Sequence, residues 1–438
     1  MKFLFQHAPA TPVTRVIATL PRTGACLDPP HQRGLTRMTT RLMFQGAGGL
    51  SNDELNSRLE RLGATMGCSL SNDTISFRLM TLTENLDAAL ELFRLTIHEP
   101  NFDQTEFERL QGELTSSWIA EREESKHQRA QDAYMNCLYA EAPTGYMPDG
   151  TLEGLRACTP EDTRQHYRKL FSKHERVIAV MSDLPQEQTK KRVLDLFSMP
   201  EFSNGGQVYP WDDFQPPEFS GRHVIILPDT DPNTNEIIAG GFSALEREDD
   251  WHIHRIISFV FGGDMNSRLF RILRGEHGFT YGASCWYESA QGRTPRDQLS
   301  PFSLYTFPAA EHTARALPML FELYEELVSN GVTEQELDLA RKSLTLSYPF
   351  LRDTPQKLLS LQIGEALYGI PTDDDKTNRE KIASVTREEI HRVLKETHHP
   401  ENLCLVLLGD QKHLEPMAGQ LSNVVDIKIL NDSLVNPL

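Results

Sequence analysis

Two places in this 438-residue chain combine residue types and spacings that could do chemistry. The first is Gly34–Gly46 (GLTRMTTRLMFQG), a helix-like segment that carries Arg37, Thr40 and Arg41. Positions i and i+4 share one helix face, about 5–6 Å apart. Two histidines at that spacing, with a glutamate beside them, hold zinc and activate water. Guanidinium groups keep their protons in proteins, so Arg37 and Arg41 repel a divalent cation. The hydroxyl of Thr40 is no substitute for a general base. Two readings follow for the arginines: ion pairs with nearby Asp or Glu, or a clamp for a carboxylate or other anion. Neither H-x-x-E-H nor H-E-x-x-H occurs among the 15 histidines, so no catalytic zinc is expected on this chain.

The second place is Gly262–Ala283 (GGDMNSRLFRILRGEHGFTYGA). Asp264 or Asn266 can cap a helix whose apolar side is Leu269, Ile272 and Leu273. Gly275 or Gly278 can end it, and Tyr281 opens a strand, Tyr281–Tyr287. An arginine in the last helical turn, Arg274, and the tyrosine that starts the strand, Tyr281, can then converge on one spot. The plainer reading gives Arg274 to the helix-end carbonyls and makes Tyr281 a half-buried strand residue.

The elements that must position these groups come in two copies. Residues 88–118 and 318–348 align in one register, with Phe102–Phe107 (FDQTEF) falling on Val332–Leu337 (VTEQEL). Each copy reads as a helix, a turn with an Asp or Thr cap, and a second helix with an apolar face. A strand precedes each, Thr74–Met80 and Phe302–Phe307. Residues 201–221, with Pro210, Pro216, Pro217, Gly205, Gly206 and Gly221, read as a linker. It separates domains 1–200 and 222–438. Further strands are expected at Val13–Leu20, Arg176–Met181, Val224–Leu227 and Leu403–Leu408. The fold class is α+β: two duplicated domains, each mixing strands with helices.

Composition narrows the function classes. With Lys+Arg 44 against Asp+Glu 62, the net charge is −18, which disfavours nucleic acid as a partner. The apolar run Leu403–Leu408 is six residues long, against the roughly 20 that a membrane span needs. Phe3-Leu4-Phe5 is too short for a signal-peptide core. Cys26, Cys68, Cys137, Cys158, Cys285 and Cys404 are scattered, without a CxxC pair, and read as buried free thiols in a reducing compartment. A cytoplasmic protein is therefore expected, or a periplasmic one if a leader has been removed. His398-His399 before Pro400 reads as an exposed turn. Ser284 and Cys285 stand near Tyr281, but no His/Asp arrangement accompanies them to make a nucleophilic triad.

The frame around Arg37 resembles the pitrilysin-type zinc peptidases, the inverzincins that include the mitochondrial processing peptidases. There a glycine and an apolar residue precede H-x-x-E-H on a helix, closed by a Phe-x-Gly turn. Here Arg37 and Arg41 occupy the histidine positions and Thr40 the glutamate position. A later glutamate that completes the family's metal site falls near Ser117 or Trp118. The Gly-Gly, Ser-Arg-Leu-Phe, Arg and Tyr pattern of residues 262–281 resembles the family's second-domain signature. The resemblance implies two sheets, each mostly antiparallel and covered by helices, forming half of a peptidase clamshell. By it, Tyr281 donates to the developing oxyanion and Arg274 holds the substrate backbone, both across a cavity from zinc.

The resemblance further implies a noncatalytic subunit of a heterodimeric peptidase. Zinc would sit only on a homologous H-x-x-E-H partner, and this chain would hold no cofactor. Substrates would be unfolded peptides laid against an edge strand, Cys68–Phe77, with Cys68, Leu70 and Asn72 as its peptide-binding residues. Only Gly262-Gly263 stands where presequence-binding subunits carry a long glycine-rich insertion, which argues against a presequence receptor. Two alternatives stay open: a structural or peptide-holding protein of the same fold, and pairing with a second copy of itself.

Overall fold

Val177–Ser182 (VIAVMS) and Leu403–Gly409 (LCLVLLG) are buried along their whole length. Uninterrupted apolar runs behave this way when both faces of a strand are covered. The computed structural model describes residues 1–139, 145, 147–171, 176–194, 217–230, 233–245, 250–287, 299–368 and 375–430. Its strands are β1 Lys2–His7, β2 Val13–Pro21, β3 Gly46–Ala47, β4 Leu50–Ser51, β5 Thr65–Leu70, β6 Thr74–Leu82 and β7 Val177–Ser182. They continue with β8 Arg222–Pro228, β9 Glu236–Leu245, β10 Thr280–Tyr287, β11 Leu299–Pro308, β12 Leu403–Gly409 and β13 Val424–Ile429.

The first sheet runs β1-β7-β2-β6-β5, with β1 parallel to β7 and the other neighbours antiparallel. The second runs β10-β11-β9-β12-β8-β13, with β8 parallel to β12 and to β13. Read from β8 to β10, it repeats the first sheet strand for strand and direction for direction; β13 is an addition. The duplicated helices follow the same plan. Helix Leu86–His98 is followed by helix Gln104–Glu124, whose first turn Asp103 caps by accepting from the N–H of Thr105 at 2.8 Å. Helix Thr313–Asn330 is followed by Glu334–Ser347, capped by Thr333 with Glu336 reaching back. The fold is the expected α+β duplication.

The compact units do not follow the two halves of the sequence. One gathers Met1–Ala120, Tyr146–Asp213 and Leu351–Thr372; the other gathers Glu121–Gly145, Phe214–Phe350 and Asp373–Leu438. Boundaries at 200 and 222 therefore miss an exchange of one helical segment in each direction, and of the expected linker 201–216 lies outside the described residues. The reason lies in the two-faced strands. Ile178 and Val180 enter the main core of the first unit, while Ala179 and Met181 face Leu359 and Ile363 of helix Pro355–Tyr368. In the second unit Leu403, Leu405 and Leu407 face the main core. Cys404, Val406 and Leu408 pack against Ala130, Ala133, Tyr134 and Leu138 of helix Lys126–Tyr139.

Helix Lys126–Tyr139 is fastened to its sheet by more than apolar contact. The Tyr134 hydroxyl lies 2.7 Å from Ser303 Oγ, over Gly240, where any Cβ would collide with that phenol oxygen. Cys137 and Cys404 form a disulfide, with Cα atoms 6.4 Å apart. This corrects the expectation of six free thiols and removes its support for a reducing compartment, because such bonds persist in oxidising ones. Two residues remote in sequence were brought together by the packing of that helix on β12. The bridge closes a sequence separation of 267 residues, so Cys137→Ser is expected to cost about 2–4 kcal/mol. Denaturant unfolding of wild type and variant checks this; equal midpoints would refute it.

His398 is a second correction. It is 2% exposed, not in an exposed turn, because Tyr287 and Tyr324 both bond its ring, each at 2.9 Å. No helix among the described residues is long and apolar enough to cross a membrane.

Candidate functional site

Helix Leu35–Leu42 begins at Gly34, whose φ of 104° suits glycine. Asp28 supplies the cap: its carboxylate accepts from the N–H of Gly34 at 2.8 Å and of Thr36 at 2.7 Å. The Thr36 hydroxyl lies 2.6 Å from Asp28 and 2.7 Å from His166 Nε2. Burial raises the Asp28 carboxyl to about 6 and lowers His166 to about 3, so at neutral pH the imidazole is uncharged. Leu35, Met38 and Leu42 are buried beneath this helix and turn the side bearing Arg37 and Arg41 outward. Arg37 stands 3.8 Å from Asp149, and Arg41 3.8 Å from Glu113. Thr40, 1% exposed, donates to the carbonyl of Thr36 at 2.8 Å. Of the two readings, the arginines take the ion-paired one.

The sheet edge beside this helix is β5, which among the described residues pairs only with β6. Cys68 and Leu70 lie on it. The Cys68 thiol is a hydrogen-bond neighbour of Thr40; burial raises its pKa against the pull of Arg41 and Arg78. Asn72 lies off the edge, in the turn after β5, 2% exposed, and its carbonyl accepts from the N–H of Cys26 at 2.9 Å. Ile75–Phe77 belong to β6, flanked by β2 and β5, so the exposed edge is Thr65–Leu70 alone. A cleft of about 350 Å³ opens beside it, floored by Phe44, Leu55, Leu59 and Met66 and rimmed by Arg109 and Glu113. Sequence reading missed this cleft; its one signal was the Phe-x-Gly turn that contains Phe44.

In the second unit, Asp264 accepts from the N–H of Asn266 at 2.8 Å, and the chain runs through the wide helical turns of Phe270–Glu276. Leu269 and Leu273 are fully buried and Ile272 is partly so. The chain turns at Gly278 into β10, which among the described residues pairs only with β11. Its register shifts between Thr280 and Ala283, and a bulge of this kind re-aims a side chain. Tyr281 sits there, 73% exposed. The Arg274 guanidinium lies 4.3 Å from the Tyr281 ring centre and 4.7 Å from that of Phe270. The two groups expected to converge do converge, at the surface of this unit. Phe270 was missed as a partner although its i, i+4 spacing to Arg274 was legible. Cys285 is 4% exposed and burial pushes its thiol far up, so it is no nucleophile.

Residues 3–147 match the family profile described as Insulinase (Peptidase family M16), and residues 157–344 match the Peptidase M16 inactive domain. The chain belongs to peptidase family M16. It is similar to the non-peptidase homolog YmxG of Helicobacter pylori, 22% identical over 89% of this chain and 88% of the relative. Among solved structures it resembles the peptidase M16 inactive domain from Pseudomonas fluorescens, with TM-score 0.80 and 18% identity, covering 93% of this chain and 96% of that one. It also resembles the periplasmic protease PqqL from Escherichia coli, with TM-score 0.73 and 15% identity, covering 97% of this chain but 47% of PqqL.

The M16 metal position can be tested on the groups present. Its donors would have to be Arg37, Arg41 and a residue near Ser117 or Trp118. Two are permanent cations held by Asp149 and Glu113. Trp118, 6% exposed, donates its indole N–H to the Gly150 carbonyl at 3.0 Å. Zinc requires deprotonated N, S or O ligands, so this site does not fit it. Among the described residues no group of three His, Cys, Asp or Glu could hold a metal ion. Metal analysis of the purified chain is expected to find no stoichiometric zinc; one bound equivalent resistant to dialysis would contradict this assignment.

Proposed function

We propose that this chain is the zinc-less subunit of a heterodimeric M16 metallopeptidase. It lends Arg274 and Tyr281 to a partner that bears H-x-x-E-H. The observation that carries the reading is the Arg274–Tyr281 stack, 4.3 Å from guanidinium to ring centre, with the tyrosine 73% exposed. A phenol held by stacking yet open to the surface can donate to the oxyanion that develops at a scissile carbonyl. The guanidinium beside it supplies charge and fork-shaped donors for an extended peptide. That this chain spans 47% of PqqL supports pairing, since two halves of this size would make up one such protease.

A second reading, peptide holding without hydrolysis, is favoured by the ion-paired Arg37 and Arg41 and by the non-peptidase relative. The two separate in one experiment. The chain is mixed with an H-x-x-E-H homologue from the same source, and cleavage of an unstructured peptide is followed. Under the first reading the mixture cleaves and neither chain alone does so appreciably. No gain over the partner alone, with peptide still bound, would leave the second reading.

A further inference from the structure

We infer that the Arg274 site takes a carboxylate, so that the ligands it selects are peptides presenting a free C-terminus or an acidic side chain. This rests on the peptide-binding reading above and narrows its substrate class. Arg274 forms no ion pair or hydrogen bond with any described side chain. Its acidic neighbour in sequence, Glu276, is paired instead with Arg271. The guanidinium rests against two rings, 4.7 Å from the centre of Phe270 and 4.3 Å from that of Tyr281. Ring contact partly offsets the charge through the π quadrupole, and no described side chain takes up the N–H donors. Those donors are the part of a guanidinium that matches a carboxylate bidentately. Two further basic side chains rest on the Phe279 ring: Arg315 at 4.7 Å and His277, three residues after Arg274, at 4.9 Å. In a chain of net charge −18, an arginine without an acidic partner is a place prepared for an anion from outside. Phe270 is a positioning residue: its ring is one of the two against which the guanidinium rests.

The test is affinity, measured by fluorescence anisotropy with the full chain and one unstructured peptide in three forms. These are the free acid, the C-terminal amide, and the amide carrying one internal Gln→Glu change. The free acid, or the internal-Glu form, is expected to bind about tenfold tighter than the plain amide, the margin of a charge-assisted over a neutral hydrogen bond. Whichever form gains identifies the source of the carboxylate. The gap is expected to close in Arg274→Gln and to shrink in Arg274→Lys, which keeps the charge but loses the fork. It should also shrink in Phe270→Leu, while the plain amide still binds. Equal affinity for all three forms, weakened together by Arg274→Gln, would overturn the carboxylate assignment and leave the peptide site standing. Binding indifferent to Arg274→Gln, or no binding at all, would overturn both.

Discussion

Tyr281→Phe is expected to lower the turnover of the two-chain mixture by about 10²- to 10³-fold, the usual cost of deleting one oxyanion donor. The melting temperature should not move. Tyr281 is 73% exposed, and its ring, which phenylalanine keeps, is what Arg274 stacks on. A surface substitution that preserves the stack has little stability to lose. KM should change little, because the hydroxyl is assigned to charge that develops only in the transition state. Steady-state kinetics with matched thermal melts decide the matter. A loss under twofold would remove Tyr281 from catalysis, and a collapse of the melting temperature would make its role structural.

Acidification is expected to loosen the second unit before the first. A buried chain of rings links four elements there: His254 Nδ1 to Tyr287 at 3.1 Å, Tyr287 to His398 Nε2 at 2.9 Å, and His398 Nδ1 to Tyr324 at 2.9 Å. Both imidazoles are 2% exposed, and His254 Nε2 is buried without a partner. Burial holds His254 down to about 4, with His252 and Arg392 adding to that and Asp250 opposing it. It holds His398 well below the ordinary histidine value, reinforced by His254 and His399. A histidine depressed by folding binds its proton more readily when unfolded. Its contribution is therefore complete above about pH 6.5 and is lost as pH falls toward 4. For His254 alone the loss is about 3 kcal/mol.

The first unit answers differently over the same window. His166, held near 3, also loses stability on acidification. Asp28, raised to about 6, gains it, because the folded carboxyl takes up its proton first. Between about pH 6 and 4 the two nearly cancel. Hydrogen exchange at pH 7 and pH 4.5, read separately over peptides of the two units, should show protection falling in strands β9 to β12 and holding in β2, β6 and β7. Parallel loss in both units would refute the assignment.

What could be learned from sequence was local or repeated. The i, i+4 spacing of Arg37 and Arg41 and the helix-to-strand turn from Arg274 to Tyr281 are set within a few residues by backbone periodicity. The duplication could be read because the same apolar and capping pattern recurs. The runs VIAVM and LCLVLL could be read as strands, and their lack of a polar residue fits cover on both faces. What covers them could not be read there. Nothing in the residue pattern of helices Lys126–Tyr139 and Pro355–Tyr368 says which sheet each covers. Only the packed structure assigns each to its sheet, and with that assignment come the Cys137–Cys404 bridge and the exchanged units. Burial of His398 and Asn72, and the contact of Arg274 with the rings of Phe270 and Tyr281, were decided in the same way. Each depends on atoms that meet only after distant segments fold together, and residue type and spacing along the chain carry no record of that encounter.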